Sequence, residues 1–128
     1  LSFSIILPEQ LTWTTRPHEP GEPARHVAEL QSALGFTHTR ANVWRYEPGA
    51  RGRRHVHPDQ EETFVVLAGR LTMYLAEPPQ RQVITVGGVV HLPAGTPVQT
   101  VNEGDDDLVI YAYGSPPDEG ATLLPPAA

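Results

Sequence analysis

Residues 49–69 read GARGRRHVHPDQEETFVVLAG, and the spacing of polar and apolar side chains in this stretch decides how the chain is to be read. His55 and His57 stand two apart. In a β-strand such residues point to one face, about 6.5–7 Å apart along the chain. Two imidazoles placed this way can converge on one metal ion, each nitrogen about 2.0–2.2 Å from it. Pro58 follows at once and has no N–H to continue a ladder, so a turn or bulge is expected there. The turn returns a carboxylate, Glu61 or Glu62, toward the pair, and an apolar run then closes on Gly69. Two histidines and one carboxylate with open positions suit Fe(II), Mn, Ni or Zn. Strand parity does not choose between the acids. Glu62 shares a face with Phe64, Val66 and Ala68, and Glu61 shares one with Thr63, Val65 and Leu67.

Working outward from Phe36, short runs rich in β-branched and aromatic residues alternate with Gly, Pro, Asn and Asp clusters. Strands are expected at 37–46, 52–57, 62–68, 70–76, 81–86, 88–92, 97–102 and 107–114. Turn signals every 8–12 residues indicate an all-β sandwich or barrel. Upstream lies an arm with a short strand around Leu11 to Thr15. A helix is expected next: Pro23 suits a first helical position, Val27, Leu30 and Leu34 recur at helical spacing, and Gly35 is a stop. Its polar residues Arg25, Glu29 and Gln31 would leave one apolar face. The expected organisation is one domain: an N-terminal arm and short helix over 1–35, a β-barrel over 36–115, and a Pro-rich C-terminal tail over 116–128.

Composition narrows the function. The chain has 128 residues and no cysteine, which excludes disulfides, thiol nucleophiles and thiolate metal sites and suits a cytoplasmic location. Fifteen acidic against nine basic residues give a formal charge of −6, which argues against nucleic-acid binding. No apolar run approaches the ~20 residues of a membrane helix. Leu1 to Leu7 is apolar but short, without the basic flank and cleavage site of a signal peptide. No phosphate-cradling glycine loop and no Gly-x-Ser-x-Gly elbow occurs.

The first motif resembles that of the cupin family: a glycine, five residues, His-x-His, four residues, Glu, six residues and a glycine. Gly49, His55, His57, Glu62 and Gly69 occupy every position. A second motif is similar at Gly87, Pro93, Gly95 and Asn102, but Val98 stands where the family has a fourth ligand, a histidine. The resemblance implies a double-stranded β-helix, or jelly-roll barrel. It also favours Glu62 over Glu61, so that one divalent transition metal (Fe, Mn, Ni or Zn) would be held by His55, His57 and Glu62. A small organic molecule would bind in the barrel, with oxygenase or isomerase-like activity. The alternative is a non-catalytic binding or sensing module with a weak or vestigial metal site. Family members commonly pair, so a homodimer is expected.

Several other residues carry expectations. A valine cannot ligate, so the site would keep a three-ligand set with water in the remaining positions, or borrow His91 or His38. Gln99 should point away from the face of Val98. Arg51, Arg53 and Arg54 form a basic cluster, read as a solvated loop or as an attractor for an anionic substrate, and Arg53 shares parity with the histidines. Asn42, Trp44 and Tyr46, with Phe64, Leu71, Met73 and Leu75, are core or pocket wall. Glu61 is a candidate for a residue behind the ligands or for proton transfer. His18 and His26 are expected at the surface, and Asp105, Asp106 and Asp107 in a solvated turn.

Overall fold

A computed structural model describes residues 2–118 and 120–128. Leu1 and Glu119 lie outside the described residues. A 3₁₀ turn at Pro8–Gln10 leads into eleven strands and one helical turn. The elements are β1 (Thr14–Thr15), β2 (Arg25–Glu29), α1 (Gln31–Leu34), β3 (Arg40–Tyr46), β4 (His55–Val56), β5 (Glu61–Ala68) and β6 (Leu71–Leu75). There follow β7 (Gln80–Ile84), β8 (Val89–Leu92), β9 (Val98–Val101), β10 (Leu108–Ser115) and β11 (Thr122–Leu123). Two antiparallel sheets face each other, one ordered β1-β2-β3-β10-β5-β8 and the other β11-β4-β9-β6-β7. This is the expected all-β jelly roll.

Alternation of side chains builds the interior. From β5 come Phe64 and Val66, from β6 Leu71 and Met73, from β9 Val98, and from β10 Leu108 and Ile110, all buried in one cluster. Each such side chain taken from water contributes roughly 1.5–3 kcal/mol. A second cluster of Ala28, Leu30, Ala41 and Val43 lies on the opposite face of β2 and β3, where Ile6, Leu11 and Phe36 cover it. Gly69 fixes the β5–β6 corner. Its φ is +75°, and a Cβ there would stand 2.5 Å from the Asp107 carbonyl oxygen, so no other residue fits without displacing the backbone.

The N-terminal helix is shorter than the periodicity predicts. Arg25–Glu29 is strand, paired with β1 on one edge and β3 on the other. Only Gln31–Leu34 is helical, ended at Gly35 in the left-handed conformation. An isolated helix of about twelve residues is marginal in water, whereas here the backbone finds partners on both sides. Val27 sits opposite Trp44 and Ala28 opposite Val43. Both are buried, one on each face of the sheet. The apolar spacing that suggested a helix is that of a strand buried on both sides.

Candidate metal centre

His55 and Val56 form the short β4, His57 follows in the turn, and Glu62 lies near the start of β5 in the facing sheet. The inward parity of β5 falls on Glu62, Phe64 and Val66. Gly114, directly opposite Glu62 on β10, leaves room on its inner face, and the Gln60 side chain packs where a Cβ would be. Glu61 takes the outer face and meets His91 Nε2 at 3.0 Å, both residues exposed. That removes Glu61 from any role behind the ligands and His91 from the set of substitute ligands. His38 is likewise exposed and outside the cavity.

Three donor atoms converge. Glu62 Oε1 lies 3.8 Å from His55 Nε2 and 3.6 Å from His57 Nε2, and ligand atoms of all three residues fall within 4.8 Å of one another. Two ligands about 2.1 Å from a tetrahedral ion would be about 3.4 Å apart, so the group is slightly open but close to ligating size. Ring chemistry agrees. His55 Nδ1 is 2.9 Å from the Arg53 carbonyl oxygen and must carry the proton to bond it, which leaves Nε2 as the free acceptor that a metal needs. The two rings stand nearly perpendicular with centroids 5.0 Å apart. The donor set therefore fits a divalent ion.

Electrostatics separates the two imidazoles. Burial pulls the His55 pKa down, but the Glu62 carboxylate 3.8 Å away and the Arg53 carbonyl outweigh it and raise the group above its ordinary value. For His57 burial wins. Despite the Glu62 and Asp118 charges, desolvation together with His55 and Arg40 holds its pKa below the usual range. A neutral imidazole is the form that ligates.

Behind His57 stands a residue that the sequence reading passed over. His57 Nδ1 and Asp118 Oδ2 are both buried without a hydrogen-bond partner among the described residues, and they face each other at 4.0 Å. The Asp118 backbone is fixed on both sides: its carbonyl accepts from Arg40 Nη1 at 2.8 Å, and its N–H donates to Gln60 Oε1 at 3.2 Å. A carboxylate behind a ligating imidazole orients the ring and raises its basicity. Asp118 lies 49 positions beyond the end of the first motif at Gly69, and no spacing rule reaches that far. The only local signal was the Pro116-Pro117 pair that forces an extended path.

Val98 takes the position opposite His55 in the β4–β9 ladder and is buried in the core cluster. Gln99 points the other way, as alternation predicts. Its amide nitrogen donates to the Gly52 carbonyl, and its oxygen accepts from the Ala127 and Ala128 N–H groups, pinning the tail to the outer face. Arg54 is part of the same tail contact, buried and bonded to Glu77 Oε2 at 2.7 Å and to the Pro125 carbonyl, so it is no solvated loop residue. His26, expected at the surface, is half-buried and holds Glu47 Oε2 at 2.8 Å. His18 and Asp105 to Asp107 are exposed as expected. Asn102, completely buried, donates to the Tyr46 and Asp106 carbonyls and so ties the Asp105–Asp107 turn to β3.

The three donors open into a cavity of about 500 Å³. Asn42, Trp44, Tyr46 and Phe64 line it, whereas Leu71 and Met73 are plain core. The volume is that of an ordinary small-molecule site.

A family model, "Cupin domain", matches residues 42–113, more than half of the chain. The chain belongs to the cupin family. No curated protein sequence matches it. Among solved structures it is similar to a Klebsiella pneumoniae protein with a double-stranded β-helix domain, with TM-score 0.69 and 23% identity, covering 87% of this chain and 90% of that one. A cupin-superfamily sugar phosphate isomerase from Silicibacter pomeroyi gives TM-score 0.74 and 23% identity, with 88% and 75% covered. The oxalate decarboxylase of Bacillus subtilis, described with Mn(II) centres, gives 0.68 and 20%, with 85% of this chain but only 30% of that one covered. At these identities the likeness is one of fold. Among the described residues no helix is long and apolar enough to cross a membrane.

Proposed function

We propose that this cupin holds one divalent transition metal ion through His55, His57 and Glu62 and binds a small organic molecule beside it. The observation that carries the reading is the meeting of two imidazole Nε2 atoms and a carboxylate oxygen at the wall of a cavity of metabolite size. When bound, an Fe, Mn, Ni or Zn ion would supply Lewis acidity and open coordination positions. The protein's own side chains do the rest. Trp44 and Phe64 give an apolar wall, which excludes water and strengthens the polar contacts made there. The Tyr46 hydroxyl and Thr100 Oγ1, 2.7 Å apart, set a fixed polar edge. With Glu61 turned outward, Glu29 is, among the described residues, the cavity carboxylate outside the donor set, and it is the candidate to take or give a proton in an isomerase-like reaction.

A second reading is a binding or sensing module without turnover, and Val98 favours it, because three protein ligands hold an ion less tightly than four. Dimer formation is supported by Leu67 and Val89, 50% and 64% exposed on the outer face of β5 and β8, which the N-terminal arm leaves uncovered.

Elemental analysis of purified protein tests the metal reading. The wild type should carry about one metal per chain and His57→Ala close to none. Equal content in the two proteins would overturn it.

A further inference from the structure

All nine basic residues of this acidic chain are arginine; there is no lysine. Four of them, Arg16, Arg25, Arg40 and Arg53, line the metal-site cavity. Of the five others, three are neutralised by carboxylates: Arg45 by Asp107, Arg54 by Glu77 and Arg81 by Glu103. Among the described residues none of the four cavity arginines has a carboxylate partner. Arg40 spends one donor on the Asp118 carbonyl, and Arg16, Arg25 and Arg53 make no side-chain hydrogen bond at all within the described protein. Among the described residues the cavity wall offers only Glu29 and Glu62 against them. A cluster of uncompensated cations in a −6 protein is a field built for an anion.

Placement brings the three free arginines to the wall of one cavity. Arg25 on β2 lies directly opposite Tyr46 on β3, and its guanidinium stacks over the Trp44 and Tyr46 rings at 5.3 and 5.7 Å. Stacking holds the fork in place while leaving its N–H edge free to donate. The Arg16 N–H donates to the Arg25 carbonyl, which continues the β1–β2 register and sets Arg16 beside Arg25. Arg53 enters from the facing sheet. Its neighbour Gly52 packs against the Tyr46 hydroxyl, and its own carbonyl is the group that orients His55.

We infer that the ligand of this cavity is an acidic organic molecule whose terminal oxyanion, a carboxylate or a phosphate, is bound by Arg16, Arg25 and Arg53. This deepens the proposed function, because the other end of such a molecule lies at His55, His57 and Glu62. The oxyanion subsite does not itself need the metal. Guanidinium forks match both kinds of oxyanion with paired N–H donors.

The test uses metal-stripped, full-length protein titrated at low salt with inorganic phosphate and, separately, with malonate, followed by calorimetry. Saturable binding of at least one anion at a single site is expected, and the tighter of the two names the oxyanion. Arg25→Gln and, independently, Arg53→Gln should each weaken it at least about 10-fold, while Arg70→Gln, outside the cavity, should leave it unchanged. Absence of saturation with both anions overturns the inference, as does equal weakening by Arg70→Gln. Because the titration is run without metal, its outcome is independent of the metal content of the His57→Ala protein, and the two readings fail separately.

Discussion

Two parts of one sandwich interior obey opposite rules. Around Leu71, Met73, Val98 and Leu108, each at most 1% exposed, the facing sheets meet mainly through apolar side chains. Around His55, His57, Glu62 and Arg25 the same two sheets stay apart, and the inner face is polar, charged and only partly buried. Close packing is where the folding free energy comes from, whereas buried unpaired charge opposes it. The packed part therefore carries the site, and the two should respond to mutation independently.

The largest expected effect lies in the packed part. Met73→Ala should destabilise the protein by about 2–5 kcal/mol in urea unfolding and leave metal affinity of the folded protein unaltered. A large loss of metal affinity without loss of stability would show that the two parts are coupled, against this division. Asp118→Ala should do the reverse. Removal of the carboxylate behind His57 should weaken metal binding about 10–100-fold in chelator competition, and the metal-free protein should keep close to wild-type stability, because the lost Gly120 N–H bond to Oδ1 is offset by removal of the buried, partnerless Oδ2. Asp118→Asn retains an oxygen that can accept from Nδ1–H and should recover part of the affinity. If both variants bind metal like wild type, Asp118 merely anchors the tail.

The packed part and the histidine pair were legible in the sequence for the same reason: both rest on local spacing. Alternation over 36–115 places the strands within a few residues of where they lie, and the His-x-His spacing holds because strand geometry is regular. The choice of Glu62 over Glu61 was not local. It depends on which face of β5 turns inward, and both faces are apolar, one turned to the sandwich interior and the other left with Leu67 half exposed. Of the arginine subsite, Arg53 was legible through its parity with the histidines, whereas Arg25 stayed hidden for a more specific reason. Read as a helix, residues 23–34 put Arg25, Glu29 and Gln31 on a solvated face; as strand and turn, all three line the cavity. A wrong period therefore concealed functional residues as well as an element. Asp118 and Arg16 are brought in by segments whose paths are set by tertiary contacts.

The smallest expected effect tests how β2, which carries Arg25, is held. Glu47 sits just past β3 and accepts from the Ala24 N–H at 3.1 Å, while His26 Nε2 stands 2.8 Å from its other oxygen. The His26 bond first, and the Ala24 N–H second, hold the Glu47 pKa below its ordinary value. A carboxylate depressed in the folded state stabilises above its unfolded pKa, about 4.3, and that contribution disappears as pH falls through the folded value. Glu47→Gln should accordingly lower the urea midpoint slightly at pH 7, and the gap from wild type should narrow as pH falls below about 4.3 and through the lower folded value. The group is exposed, so the shift is small and should shrink further in salt. A gap that persists unchanged at pH 3 would mean that Glu47 supports β2 through shape rather than charge. In that case anion binding by Arg25 should not fall as wild-type Glu47 is protonated.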